Sequence, residues 1–183
     1  MPILTEEPRS FPDDLLLGGG DLEDRQWSVA YTKVRQEKSL ARDLHQRSIP
    51  HYLPLIPKRH VYRGRTVNSH LPLFSSYVFL YTTDEERIRS LSTNRVASIV
   101  PVRDQGQLLT DLQRVERLIE ASMPLTVESR LRAGQPVRVK CGALAGMEGK
   151  ILKRCRTTRL LVAIEFLQQG VSLEIDDHLL EPI

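Results

Sequence analysis

Residue types that do chemistry are sparse in this chain and poorly placed for catalysis. The five histidines, His45, His51, His60, His70 and His178, stand apart in the sequence and are expected mostly to face solvent or nucleic acid. Cys141 and Cys155 lack CxxC spacing and have no clustered histidines beside them, so they read as reduced thiols rather than zinc ligands. Asp176-Asp177 fits a strand-end turn better than a metal site or an acid/base pair. The chain contains no P-loop, GxGxxG, GxSxG or HExxH pattern. No catalytic residue, metal or cofactor is expected, and an enzyme with unrecognised chemistry is the least favoured reading.

The remaining chemistry is that of contact: aromatic rings and cations. Aromatic side chains concentrate in Trp27–Thr32 (WSVAYT) and in Leu71–Tyr81 (LPLFSSYVFLY). Charge is uneven although the net value is +3. Residues 1–24 hold one basic and seven acidic side chains, whereas Lys33–Arg65 holds nine basic ones against Glu37 and Asp43. Such a positive stretch suits a polyanion, nucleic acid above all, with a solvated face as the bland alternative. No apolar run approaches the ~20 residues of a membrane span. Leu15–Leu17 is too short for a signal-peptide core, and a cytoplasmic protein is expected.

Positioning these groups requires a framework that can be read in order. Residues 1–24, rich in acids and carrying Gly18–Gly20, read as a disordered acidic tail. Trp27, Val29 and Tyr31 alternate with small or polar residues as in a strand. Gln36–Arg47 puts Leu40, Ala41 and Leu44 on one helical face. Pro50–Pro57 is extended, Arg63-Gly64-Arg65 forms a basic hairpin tip, and Tyr77–Tyr81 is a central strand. Thr83 with Glu86 predicts a capping box before a short helix, Val96–Val102 a strand, and Thr110 with Gln113 the start of a helix striped by Leu112, Val115, Leu118 and Ile119. The order βαββαβα predicts a ferredoxin-like split βαβ domain within an α+β chain.

Residues 123–132 read as a linker, and residues 133–183 as a small SH3-like β-barrel. Val137 and Val139 alternate with Arg138 and Lys140, after which Gly142, Gly146 and Gly149 pace a turn into Ile151 and Leu152. Leu160–Phe166 and Val171–Ile175 are its later strands, turned by Gln168-Gln169-Gly170. Pro136 and the glycines interrupt any helix, so an all-β domain on a mobile linker is expected rather than a helical hairpin.

The glycine-paced segment Gly134–Ile151 resembles the KOW motif. Together with WSVAYT and LFSSYVFLY upstream, it makes residues 27–183 similar to the NusG family of transcription elongation factors, more like a specialised RfaH-type paralogue than the general factor. The resemblance implies residues 25–122 as the NusG N-terminal (NGN) domain, and a non-enzymatic monomer that binds the clamp helices of RNA polymerase. It implies that Tyr31, Tyr77 and Phe79, with Phe74 near the edge, form the polymerase pocket, and that Arg89 and Ser90 lie near the gate loop. Lys33, Arg35, Arg42, Arg63 and Arg65 would meet upstream or non-template DNA. Leu144, with Met147, would place an apolar turn against a small-subunit ribosomal protein or the termination factor Rho. Ser75-Ser76 departs from the family's Pro-Gly before the tyrosine and leaves the pocket rim open. A ribosome-associated or RNA-binding KOW protein is the alternative.

Overall fold

The computed structural model describes residues 8–18, 24–62, 64–129, 134–154 and 157–183, with the backbone alone for residues 60, 62, 65, 153 and 154. The chain divides into two compact units, Met1–Gln105 and Gly106–Ile183. The fold class is the expected α+β.

The first unit contains β1 (Ser10–Phe11), β2 (Gln26–Thr32), α1 (Glu37–Gln46), β3 (His51–Tyr52), β4 (Leu55–Tyr62), β5 (Arg65–Pro72), β6 (Tyr77–Thr82), α2 (Asp84–Leu91) and β7 (Val96–Pro101). Five strands form one sheet in the order β1-β3-β6-β2-β7, each neighbouring pair antiparallel. Its four inner-topology strands reproduce the ferredoxin-like order. β4 and β5 form a separate two-stranded ribbon. Period-two alternation sends Ala30, Val78 and Leu80 into a core shared with Leu40, Ala41 and Leu44 of α1 and with Ile49 and Leu53. Trp27, Val29 and Tyr31 therefore point to the opposite sheet face.

The acidic N-terminal segment is not wholly without structure. Ser10 and Phe11 pair with Tyr52 and His51, and Leu15 and Leu16 are buried. Acidic composition conceals three apolar side chains that find a sheet edge and a core. The rest of the expected tail, residues 1–7 and 19–23, lies outside the described residues.

The capping box at α2 is formed: the Thr83 hydroxyl accepts from the Glu86 N–H at 3.2 Å, and the Glu86 carboxylate accepts from the Thr83 N–H at 3.0 Å. At the end of the first unit, Gln105 Nε2 donates to the Trp27 and Val102 carbonyls.

The second unit begins with the body of α3 (Gln105–Glu120) and continues with β8 (Leu125–Glu128), β9 (Pro136–Val139), β10 (Glu148–Arg154), β11 (Thr157–Ile164), β12 (Gln169–Glu174) and β13 (Leu180–Pro182). The strands form one antiparallel sheet in the order β13-β9-β10-β11-β12-β8. The structure differs from the sequence reading at the start of α3 and at the boundary between the units. Helix α3 starts at Gln105, and Thr110 lies inside it, bonding back to the Gly106 carbonyl instead of capping. The expected apolar stripe of Leu112, Val115, Leu118 and Ile119 is buried. The compact units part before residue 106 rather than at 122, and the expected linker contributes β8, paired with β12. The reason is local: Asp111 accepts the Glu165 N–H, Arg114 pairs with Glu148, and Arg117 donates to the Ala145 carbonyl.

Gly149 sits where β10 meets β11. A Cβ there would lie 2.5 Å from the Leu161 carbonyl oxygen and 2.8 Å from a Leu160 methyl group. Gly149→Ala is therefore expected to destabilise the second unit by about 1–3 kcal/mol through overpacking. Urea unfolding measures this, and a loss within the scatter of wild type contradicts the close approach.

Candidate partner-binding surfaces

The aromatic surface is built by the β2–β6 pairing. Tyr31 lies opposite Tyr77, Val29 opposite Phe79 and Trp27 opposite Tyr81. Tyr31 packs edge-on to Tyr77 with ring centroids 5.4 Å apart, and Trp27 packs against Tyr81 at 5.2 Å. Tyr31 is 45% exposed and Tyr77 half-buried, whereas Phe79 and Phe74 are 0% and 1% exposed. The expected pocket thus separates by burial. Tyr31 and Tyr77 reach the surface together, while Phe79 packs at a tilt against Tyr52, with centroids 6.2 Å apart, inside the protein. Phe74 is likewise a core residue. Sharing a strand face with an exposed tyrosine is no guarantee of exposure two residues further along.

The turn entering β6 holds the pair in place. Ser76 takes a left-handed φ of +68°, a conformation that glycine adopts more readily. Its N–H donates to the buried Glu37 carboxylate at 2.6 Å, and its carbonyl accepts from the Thr32 N–H at 2.8 Å. Glu37 was not singled out from the sequence. No local signal pairs this acid at a helix start with the distant Ser75-Ser76.

On α2, Arg89 is exposed and exchanges bonds with the Arg47 backbone and side chain, whereas Ser90 is fully buried and bonds the Glu86 carbonyl at 2.8 Å. The expected contact pair is therefore split: Ser90 faces inward because the i−4 carbonyl is its partner. Arg25 grips Glu86 through two bonds of 3.0 and 2.6 Å. That pairing holds the Glu86 carboxyl below its ordinary value, burial opposing it.

The cations Lys33, Arg35 and Arg42 are exposed. Lys33 and Arg35 stand in the turn between β2 and α1, with Lys33 Nζ donating to Asn94 at 2.8 Å. Arg42 lies further along α1. Lys58 and Arg59, which the sequence reading did not name, add exposed charge on β4. Arg63 lies outside the described residues, and only the backbone of Arg65 is described.

In the second unit, Leu144 and Met147 are 4% and 1% exposed, not an apolar tip in solvent. The turn folds inward because the Gly146 N–H bonds the Val139 carbonyl and the Met147 N–H the Leu144 carbonyl. Leu144 instead lines a groove of about 350 Å³ with Val139, Ile175 and Leu179. Cys141 is exposed beside it, and Cys155 lies outside the described residues. His51 is buried, contrary to the expected outward placement of most histidines. Among the described residues, no three metal-ligating side chains gather, and no helix is long and apolar enough to cross a membrane.

Aromatic rings and cations are exposed on a sheet face, a turn and a ribbon of the first unit. Residues 25–132, more than half of the chain, match the family model described as "Transcription termination factor nusG", and the protein belongs to the NusG family of non-catalytic transcription factors. It is similar to a solved structure of NusG from Thermotoga maritima at 17% identity and a TM-score of 0.47, covering 87% of this chain and 97% of that one. It is also similar to one of the MjSpt4:Spt5 complex at 14% identity and a TM-score of 0.30, covering 86% and 97% respectively. No curated protein matches the chain.

Two outcomes follow from these positions. Phe79→Ala is expected to cost about 3–5 kcal/mol of stability as a core cavity, measured by thermal or urea unfolding; a stable Phe79→Ala protein would return this ring to the surface. The depressed Glu86 pKa means that its stabilisation is complete above the unfolded value and disappears as pH falls through the folded one. Glu86→Gln should therefore lose about 1 kcal/mol or less at neutral pH, given its partial exposure. The gap to wild type should close as pH drops below the ordinary 4.5 of this group, and a pH-independent gap argues against the ion pair.

Proposed function

We propose that this protein is a transcription elongation and antitermination factor that rides on RNA polymerase and suppresses pausing or premature termination. Membership of the NusG family supports the transcriptional role. The observation that carries the contact assignment is the exposed Tyr31 ring packed edge-on against Tyr77. Two neighbouring aromatics offer large contact area at low entropic cost, the usual composition of an interface hot spot. In this reading the tyrosine pair meets the polymerase clamp helices, with Arg89 at a second contact and the buried Phe74, Phe79 and Ser90 supporting from within.

Lys33, Arg35 and Arg42, with Arg63 and Arg65 of the hairpin, are assigned to upstream or non-template DNA. Phosphate contacts position a protein without reading sequence, and nothing in these side chains demands base recognition. The groove bordered by Leu144 in the KOW unit is assigned to a second protein, a small-subunit ribosomal protein or Rho. The protein acts as a cytoplasmic monomer, bridging clamp and DNA without catalysis.

Binding to an isolated clamp-helix fragment tests the central claim. Tyr31→Ala, a surface change that spares the core, should weaken it by about 2 kcal/mol, roughly 30-fold. Undiminished affinity in folded Tyr31→Ala protein refutes the tyrosine site, and recovery of ribosomal RNA instead of polymerase subunits from lysate refutes the polymerase reading itself.

A further inference from the structure

The ribbon of β4 and β5 is a sheet of its own, and residues 57–59, 61 and 66–68 along it are exposed. Neighbouring residues of a strand point to opposite sides, so unbroken runs of exposure mean that both faces of the ribbon meet solvent. Its charge has one sign: β4 and β5 contain Lys58, Arg59 and Arg65 and no acidic residue. A projecting element of this kind suits a polyanion.

The register sorts the side chains by face. Arg59 lies opposite Asn68 and Val61 opposite Thr66, so these four share one face. Lys58 lies opposite Ser69 on the other, where the Ser69 hydroxyl donates to the Lys58 carbonyl at 3.3 Å. The first face carries the more specific chemistry. The arginine fork matches the O6 and N7 acceptors of guanine, and the asparagine amide matches N6 and N7 of adenine. Val61, 72% exposed, and the Thr66 methyl offer the apolar contact that a thymine methyl takes. Positions two residues apart along a strand are separated by ~7 Å, about two steps of a duplex that rises ~3.4 Å per nucleotide. The major groove of B-form DNA, ~12 Å wide, admits a two-stranded ribbon, whereas that of duplex RNA is too narrow for side chains to read.

We propose that the β4–β5 ribbon enters the major groove of duplex DNA and reads base edges. Arg59 meets a guanine and Asn68 an adjacent adenine, with Val61 and Thr66 against a thymine about two steps away. The inference rests on the DNA contact of the proposed function and extends it from phosphate attraction to sequence recognition. It does not depend on the clamp contact.

Selection of bound sequences from a randomised DNA duplex library by the full chain tests it. An enriched sequence with guanine beside adenine is expected, bound about 5- to 150-fold tighter than a scrambled duplex of equal length. Replacing that guanine with 7-deazaguanine, which removes the N7 acceptor from the major groove, should cut the advantage severalfold. Arg59→Lys keeps the charge but loses the fork, so it should relax the choice at guanine while affinity for the scrambled duplex holds. Asn68→Ala should relax the choice at adenine. Both changes are on exposed side chains and spare the core. No enriched sequence, or equal affinity for selected and scrambled duplexes, overturns base reading and leaves the phosphate contact standing; no binding to any duplex overturns both. A preference that survives 7-deazaguanine or Arg59→Lys, or tighter binding to the same sequence as duplex RNA, also overturns the proposal.

Discussion

The register between β2 and β6 is the constraint on which the first unit depends. Because side chains alternate across a strand, this one pairing commits Ala30, Val78 and Leu80 to α1 while sending Tyr31 and Tyr77 to the other face. A slip of one residue would place tyrosines in the aliphatic core and expose the aliphatics. Ser76 resists that slip. Its left-handed turn is tied on one side to Glu37 and on the other to the Thr32 N–H. A buried carboxylate on α1 thereby fixes the strand that presents the aromatic surface, linking helix, turn and tyrosine pair through one backbone amide.

The second unit is held by a different balance, in which backbones approach closely and a helix is tied by polar bonds. Gly149 and Gly170 leave no room for a Cβ between neighbouring strands. Asp111 is buried on α3, and burial raises its carboxyl above the ordinary value, while the bonds from Glu165 N–H and Gln107 oppose that rise. A carboxylate in such a place is tolerated because its oxygens are satisfied. Arg159 plays the equivalent part at the sheet edge, bonding Ser172 and Thr126 so that β8 stays paired to β12. Ser172 in turn donates to the buried Glu128 at 2.6 Å.

The elements most legible in the sequence were those whose signal is local and periodic. Gln26–Thr32, Glu37–Gln46 and Tyr77–Thr82 lie within a residue or so of their predicted spans, and the Thr83/Glu86 box is a short-range pairing that needs no tertiary information. β1 and β8 were missed for the opposite reason. Each is short, set among acids or beside a proline, and exists because a distant strand offers an edge. Burial was the least legible property of the candidate site. Leu144, Met147, Phe74 and Phe79 are the right residue types for a partner, but whether an apolar side chain meets a partner or its own core is decided by packing that spacing alone does not encode.

That distinction governs how the aromatic surface works. Along β6, Tyr77 is half-buried, Phe79 closed off and Tyr81 half-buried again, so surface and core positions are interleaved within five residues. The exposed ring is cheap to lose for folding, whereas the buried ring is costly. The cations obey a similar division. Arg25 and Arg95 are held by Glu86 and Asp43 at 2.6 Å each, and their charge is largely answered within the molecule. Lys33, Arg35, Lys58 and Arg59 remain in solvent, where attraction reaches about one Debye length, ~8 Å at physiological salt. In the proposed reading, charge of this kind would act over the approach to a polyanion, while the tyrosine pair would act only on contact.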